Sequence, residues 1–121
     1  MYRQKFRNYT KVKGNKYNAS KTTYNDITYH SAKEAAYAQE LDLRIRAKNI
    51  KSWKRQVKLS LDVNNVHICN YFIDFVITHN DDSIEYVEIK GYVTEVWRLK
   101  WKIFEAIWNE KEPEAKLTVI Y

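Results

Sequence analysis

The segment from Val66 to Ile77, VHICNYFIDFVI, constrains the fold more than any other stretch of this chain. Successive side chains of a β-strand point to opposite faces of the sheet, and both alternating sets are largely apolar here. Such a strand belongs in the middle of a sheet that is covered on both faces. The segment therefore predicts a central strand with a core built around it.

Asp74 is the exception within this apolar strand. A carboxylate buried without a partner is costly or stays protonated. The turn sequence THNDDS and the segment IEYVEIK come next, so the two strands are predicted to form a hairpin with a three-residue loop, Asn80–Asp82. In that register Asp74 stands directly opposite Glu88, and Lys90 shares their face.

Two carboxylates paired in this way have Cβ atoms only about 4.5–5.5 Å apart and repel each other. A divalent cation between them would relieve the repulsion, and Mg²⁺ needs little more than two carboxylates, a backbone carbonyl and waters. Such an ion activates a bound water and stabilises charge on a phosphate, and Lys90 would orient the water or neutralise the developing charge. The alternative is that Glu88 and Lys90 are cross-strand partners on a solvated face, with Asp74 near a sheet edge.

The other elements follow from local signals. Ser31 and Glu34 match a capping box at the start of a helix. The predicted order is α-β-β-β-α-β, an α/β (α+β) fold with a mixed sheet flanked by helices. The segments are a helix from Ser31 to about Lys48, strands at Gln56–Leu61, Val66–Ile77 and Ile84–Lys90, a helix from about Thr94 to Glu110, and a strand at Lys116–Tyr121.

Positive charge is concentrated at the N-terminus, although the whole chain carries only +6. Residues 1–25 contain no acidic residue, and four tyrosines interleave with the basic ones. We therefore predict a basic arm over residues 1–25, followed by one domain over residues 26–121. An arm of this kind suits DNA, the alternative being a solvated tail that aids solubility. Its basic residues are Arg3, Lys5, Arg7, Lys11, Lys13, Lys16 and Lys21.

Cysteine content and hydropathy limit the setting of the protein. The single cysteine, Cys69, allows no internal disulfide and no multi-cysteine zinc site. The first residues lack the apolar run of a signal peptide, and no 18 apolar residues follow one another. These features predict a cytoplasmic protein that has no membrane partner.

Three short motifs, in this order and spacing, resemble the PD-(D/E)XK nuclease superfamily, and within it a family of small phage endonuclease-like proteins. They are SAKEA at residues 31–35, YFIDF at residues 71–75 and VEIKG at residues 87–91. The similarity spans about residues 17–110, and Ile73 stands where the superfamily name has proline. The resemblance implies a restriction-endonuclease-like core, Mg²⁺- or Mn²⁺-dependent DNA cleavage, and a phage or prophage origin.

The resemblance also implies roles for individual residues. Asp74 and Glu88 would be metal ligands, the carbonyl of Ile89 a third ligand, and Lys90 the catalytic lysine. Glu34 would be a further catalytic acid that reaches the metal from the first helix, a role that competes with its part in the capping box. Gln56 corresponds to a polar residue often found beside such sites, although it is equally a plain strand-start glutamine.

Other residues enter as weaker candidates for nucleic-acid contacts. His30 precedes the helix cap and could approach a phosphate. On the second helix, Arg98, Lys100 and Lys102 interleave with an aromatic stripe that we interpret as packing rather than base stacking. A basic face that is merely solvated remains the alternative.

These observations favour a metal-dependent endodeoxyribonuclease. A core of this size suits structure-directed cutting of branched DNA, such as a Holliday junction, or nicking. A homodimer would let two sites cut paired strands. The alternatives are a non-catalytic nucleic-acid-binding module with the same fold and a small protein-interaction domain.

Overall fold

The structure, a computed structural model, describes residues 10–14 and 20–121, and the chain divides into two compact units, residues 1–50 and 51–121. The described strands and helix of the first unit are β1 (Thr10–Gly14), β2 (Ser20–Tyr24), β3 (Ile27–Tyr29) and α1 (Ala32–Arg46). The second unit contains β4 (Ile50–Val63, which begins at the boundary), β5 (Val66–His79), β6 (Ile84–Ile89), α2 (Glu95–Lys111) and β7 (Lys116–Ile120).

The first unit holds an antiparallel sheet in the order β1-β2-β3. Asn25 and Asp26, with φ angles of 54° and 65°, form the two-residue turn between β2 and β3, and asparagine and aspartate tolerate this left-handed conformation. Helix α1 packs on β2 and β3. The described part of the predicted arm therefore contains two strands. Among the described residues of this unit, the buried apolar side chains are Tyr24, Tyr29, Ala35, Ala38, Leu41 and Ile50.

Both ends of α1 are closed by local hydrogen bonds. The Ser31 Oγ accepts the backbone N–H of Glu34 at 3.1 Å, which confirms the predicted helix start. At the other end, Lys48 adopts a φ of 61°, the N–H of Lys48 donates to the carbonyl of Ile45 at 2.9 Å, and the N–H of Asn49 donates to that of Arg44 at 2.8 Å. This is a Schellman motif with a lysine at the position that usually holds glycine.

The second unit is built on a mixed sheet in the order β4-β5-β6-β7, in which β6 pairs antiparallel with β5 and parallel with β7. The predicted hairpin is confirmed. The His79 N–H donates to the Ser83 carbonyl, and the Asp82 N–H to the His79 carbonyl, both at 2.9 Å. Asp82 closes the three-residue loop with a φ of 70°. Helix α2 is the crossover that a parallel pair requires.

The aromatic stripe of α2 packs against the sheet, as predicted. Trp101 contacts the ring of Tyr71, and Phe104 and Trp108 contact that of Tyr86. All these side chains are buried. The core of the second unit is therefore an aromatic layer between α2 and the strands β5 and β6.

The order from α1 to β7 is the predicted α-β-β-β-α-β, so the fold class is confirmed, and β5 lies inside the sheet as expected. The prediction that β5 is covered on both faces is wrong for its first half. Val66, Ile68 and Phe72 are 58%, 49% and 52% exposed. The exposed residues share one face of β5, whereas Tyr71 and Ile73 on the opposite face are buried in the core that includes the aromatic residues of α2.

Within the described part of the chain, no helix is long and apolar enough to cross a membrane.

Candidate active site

Asp74 and Glu88 lie opposite each other where β5 and β6 begin to pair. Phe75 pairs with Val87 and Val76 with Tyr86, so one further step in this antiparallel register brings Asp74 to Glu88, as the sequence predicted. Each carboxylate also accepts a main-chain N–H from the other strand. The Oδ2 of Asp74 accepts that of Ile89 at 2.9 Å, and the Glu88 carboxyl accepts that of Asp74.

Both carboxylates are removed from solvent, with Asp74 8% and Glu88 4% exposed. Burial, followed by the charge of Asp74, raises the pKa of Glu88 to about 7, against the smaller opposing effects of Lys90 and of hydrogen bonds from Tyr71 and the Asp74 main chain. The Oε1 atom of Glu88 is buried and has no hydrogen-bond partner among the described residues. Buried oxygens are rarely left in this state, so this atom is available to a ligand.

A second glutamate on the same strand shows how unusual Glu88 is. Glu85 is also buried, at 7% exposure. Its Oε1 lies 2.9 Å from the Nε2 of His79, and its Oε2 accepts the hydroxyl of Thr118 at 2.7 Å. Both oxygens of Glu85 are thus satisfied within the protein, whereas Glu88 keeps an oxygen without a partner in the described chain.

Lys90 joins the acidic pair as predicted. Its Nζ lies 3.6 Å from the Oε2 of Glu88 and 5.0 Å from the centre of the Trp97 ring. Its main-chain N–H donates to the carbonyl of Ile120 at 2.8 Å, which fixes the backbone against β7. The lysine side chain is 22% exposed, so the ammonium is held beside the carboxylates with access to solvent.

Gln56, a secondary candidate from the sequence, reaches the same group from β4. Its Nε2 donates to the Oδ1 of Asp74 at 3.1 Å. Its backbone φ is 49°, a left-handed conformation that is unfavourable for a residue with a Cβ and is typical of bulges near functional sites. With the bond from Ile89, both oxygens of Asp74 are oriented by hydrogen bonds.

Two residues of this site were not given a functional role from the sequence. The Trp97 indole N–H donates to the hydroxyl of Tyr71 at 3.1 Å, and that hydroxyl hydrogen-bonds the carboxyl of Glu88. Burial and the nearby Glu88 charge raise the pKa of Tyr71 well above its ordinary value. The signal in the sequence was that Tyr71 stands three residues before Asp74 in the YFIDF motif.

The remaining predicted residues are placed as follows. Glu34 is buried at 7% exposure in the first turn of α1, and His30 is exposed just before that helix; both belong to the first unit. On α2, Arg98 and Lys102 are exposed and Lys100 is half-buried. Of the basic arm, Lys11 and Lys13 lie in β1, whereas Arg3, Lys5, Arg7 and Lys16 lie outside the described residues.

The donor set of the second unit fits a hard divalent cation that keeps most of its waters. In the part of the chain that the structure describes, no three His, Cys, Asp or Glu side chains form a group that could hold a metal. Mg²⁺ is commonly bound through only one or two carboxylates, and the carbonyl of Ile89 directly follows Glu88 in the chain. The buried Glu88 Oε1 without a partner supports the fit.

The fold and the site together define an α/β protein whose sheet carries a buried carboxylate pair with a lysine beside it. Residues 14–120 match a family described as "Protein of unknown function (DUF1064)", and the chain belongs to that family. No curated protein and no solved structure matches the chain.

Proposed function

We propose that this protein is a divalent-metal-dependent endodeoxyribonuclease, with Mg²⁺ or Mn²⁺ as its cofactor. The observation that carries the proposal is the buried Oε1 of Glu88, which lacks a hydrogen-bond partner in the described chain and belongs to a carboxyl paired with Asp74. A cluster that only stabilised the fold would satisfy this oxygen, as the protein does for Glu85.

Asp74 and Glu88 would hold the metal, with the carbonyl of Ile89 as a third ligand. The bound ion would activate a water and stabilise negative charge on the scissile phosphate. The two carboxylates are oriented in advance by main-chain N–H groups and by Gln56. Their geometry therefore needs little rearrangement on binding, which favours catalysis by preorganised charge.

Lys90 supplies a positive charge beside the acidic pair. Its partly exposed ammonium donates hydrogen bonds only, so it suits a phosphate oxygen that gains charge during cleavage or the water that attacks it. The distance of 3.6 Å to Glu88 is longer than a direct hydrogen bond. The ammonium can thus turn toward a substrate without giving up a strong partner.

DNA is the proposed partner because exposed cations follow the site along the chain. Arg98 and Lys102 are exposed on α2, four residues apart and therefore on one side of the helix. They would contact the phosphodiester backbone, together with the basic arm. The proposed substrate is branched DNA or a nicking site in the cytoplasm of a phage-infected or lysogenic bacterium, and a homodimer would place two sites on paired strands.

Glu34 is the proposed additional acid from the first unit. It is buried, and its main-chain N–H donates to the Ser31 cap. This bond uses the main chain of Glu34, whereas the other half of a capping box uses the glutamate carboxylate, so helix capping and metal binding compete for that side chain. A Glu34→Gln variant that cleaves as well as the wild type would restrict its role to the helix start.

The test is a panel of labelled linear, nicked, flap and four-way-junction DNAs incubated with Mg²⁺, Mn²⁺ or EDTA. The wild type is compared with Glu88→Gln and with Glu85→Gln, which removes an equally buried carboxylate from the same strand. We expect metal-dependent cleavage by the wild type and by Glu85→Gln and none by Glu88→Gln. Cleavage that survives Glu88→Gln would refute the proposal. Salt-sensitive DNA binding with no product in any metal would instead support a non-catalytic binding module.

A further inference from the structure

Trp97 is a buried side chain that contacts two different groups of the proposed site. The face of its indole ring lies 5.0 Å from the Lys90 ammonium. Its Nε1–H donates to the hydroxyl of Tyr71 at 3.1 Å, and the same hydroxyl hydrogen-bonds Glu88. One residue thus bridges the lysine and the carboxyl from two separate parts of its ring.

Lys90 needs a partner of this kind because a lysine ammonium is a point charge on a flexible four-carbon stem. The Glu88 carboxylate, at 3.6 Å, is too far to hold it by a direct hydrogen bond. An aromatic face attracts a cation through its quadrupole without occupying its hydrogen-bond donors. The ring therefore positions the ammonium and leaves its three N–H groups for a phosphate or a water.

The indole is itself held firmly. The main-chain N–H of Trp97 donates to the Oγ1 of Thr94, the N-cap of α2, at 3.1 Å. The ring stacks on Trp101 with centroids 5.9 Å apart, and the side chain is only 8% exposed. Because the helix cap and packing hold the Trp97 ring in one position, its face stays beside the Lys90 ammonium.

We propose that Trp97 is a positioning residue that aims the Lys90 ammonium through its ring face and holds the Tyr71 hydroxyl on Glu88 through its indole N–H. This inference rests on the proposed nuclease function and adds to it a residue that controls the lysine. The two roles use different parts of the side chain and can be separated. Phenylalanine keeps a ring face and removes the N–H, whereas leucine removes both.

The same helix contains a matched control. Trp108 is also buried, at 3% exposure, and the ammonium of Lys111 lies 4.8 Å from its ring centre. Trp108→Leu therefore removes a comparable ring beneath a lysine ammonium without involving Lys90 or Glu88.

The test measures single-turnover and steady-state cleavage by Trp97→Leu, Trp97→Phe and Trp108→Leu beside the wild type. We expect Trp97→Leu to lower kcat about tenfold, the effect of a cation–π interaction of moderate strength, with KM changed less than about twofold. Trp97→Phe should recover most of that loss in kcat, and Trp108→Leu should lower the Tm while kcat stays at the wild-type value. Equal kcat losses in the two leucine variants, or no recovery with phenylalanine, would overturn the inference.

A second test uses proton NMR of the wild-type protein, so it depends neither on catalysis nor on the folding of a variant. In the wild-type protein, the ε-methylene protons of Lys90 should resonate upfield of their random-coil position because they lie over an indole ring. Lys111 supplies the internal comparison, since it lies over Trp108. Random-coil shifts for Lys90 would overturn the inference even if the protein cleaves DNA. Absence of cleavage by the wild type would refute the proposed function separately.

Discussion

Replacing Glu88 with glutamine is expected to stabilise the metal-free protein while abolishing the proposed cleavage. The carboxyl of Glu88 is buried beside Asp74, and these two effects raise its pKa from 4.5 to about 7. At pH 8 without metal the protein therefore keeps a charge that its surroundings disfavour. Glutamine has nearly the same shape and carries no charge at any pH, so it removes this cost.

The sign and size follow from the two pKa values. Between pH 4.5 and 7 the folded state binds more protons than the unfolded chain, so the free energy of unfolding falls as pH rises through this range. The stabilisation that the protonated Glu88 carboxyl gives the folded state is fully present below pH 4.5 and is lost above pH 7. At about 1.4 kcal/mol for each pH unit, the wild type loses about 3 kcal/mol that Glu88→Gln retains.

The assay is urea unfolding in EDTA at pH 5 and pH 8. The wild type and Glu88→Gln should differ little at pH 5, where Glu88 is protonated, and at pH 8 the variant should be the more stable by up to about 3 kcal/mol. Adding Mg²⁺ at pH 8, at about a hundred times its Kd, should stabilise the wild type by about 2.7 kcal/mol and leave the variant unchanged.

Glu85→Gln is the control, because both oxygens of Glu85 accept hydrogen bonds within the protein. It should be less stable than the wild type at both pH values, because an amide cannot accept hydrogen bonds on both sides.

The refuting result concerns Glu88 itself. If the wild type and Glu88→Gln lose the same amount of stability between pH 5 and 8, Glu88 does not carry the unfavourable charge.

Three further predictions concern other parts of the chain. Lys48→Gly should raise the free energy of unfolding by about 1 kcal/mol in urea, because Lys48 holds a φ of 61° that glycine adopts without strain; an unchanged value would contradict this. Gln56→Ala and Gln56→Gly should both weaken Mn²⁺ binding about 10- to 100-fold, because each removes the amide that orients Asp74. Only the glycine variant also relieves the strain of the left-handed backbone at this position. Calorimetry that shows wild-type Mn²⁺ affinity in both variants would rule out a role of Gln56 in orienting Asp74. Replacing Arg98 and Lys102 with glutamine should reduce the slope of log Kobs against log salt for DNA binding by about one for each phosphate that the variant no longer neutralises. An unaltered slope would show that these two residues do not contact DNA phosphates.

Turn chemistry and alternation were sufficient to predict the hairpin and its register. The loop Asn80–Asp82 contains residues that tolerate a left-handed backbone, and the observed φ of 70° at Asp82 matches that demand. Once the loop length is known, every pair along an antiparallel ladder follows, including Asp74 with Glu88. The start of α1 was predictable for the same reason, since a cap acts within four residues.

Side-chain partners from distant segments could not be predicted in this way. Gln56 contacts Asp74 because β4 lies beside β5 in the sheet and Gln56 adopts a left-handed backbone conformation. Tyr71 and Trp97 are 26 residues apart and meet because α2 crosses back over the strands. No local pattern encodes such a meeting.

The amino-acid sequence by itself determined the order of elements from α1 to β7, the central hairpin and the pairing of two acids with a lysine nearby, because these depend on spacings of two to four residues and on one turn. Only the tertiary structure decided which buried carboxyl is satisfied and which is not. Glu85 and Glu88 have the same chemistry and lie three residues apart on one strand, yet His79 and Thr118 occupy both oxygens of the first. One oxygen of Glu88 keeps no such partner in the described chain. The physical reason is that desolvation and hydrogen bonding depend on everything packed around a group, and that environment exists only in the folded chain.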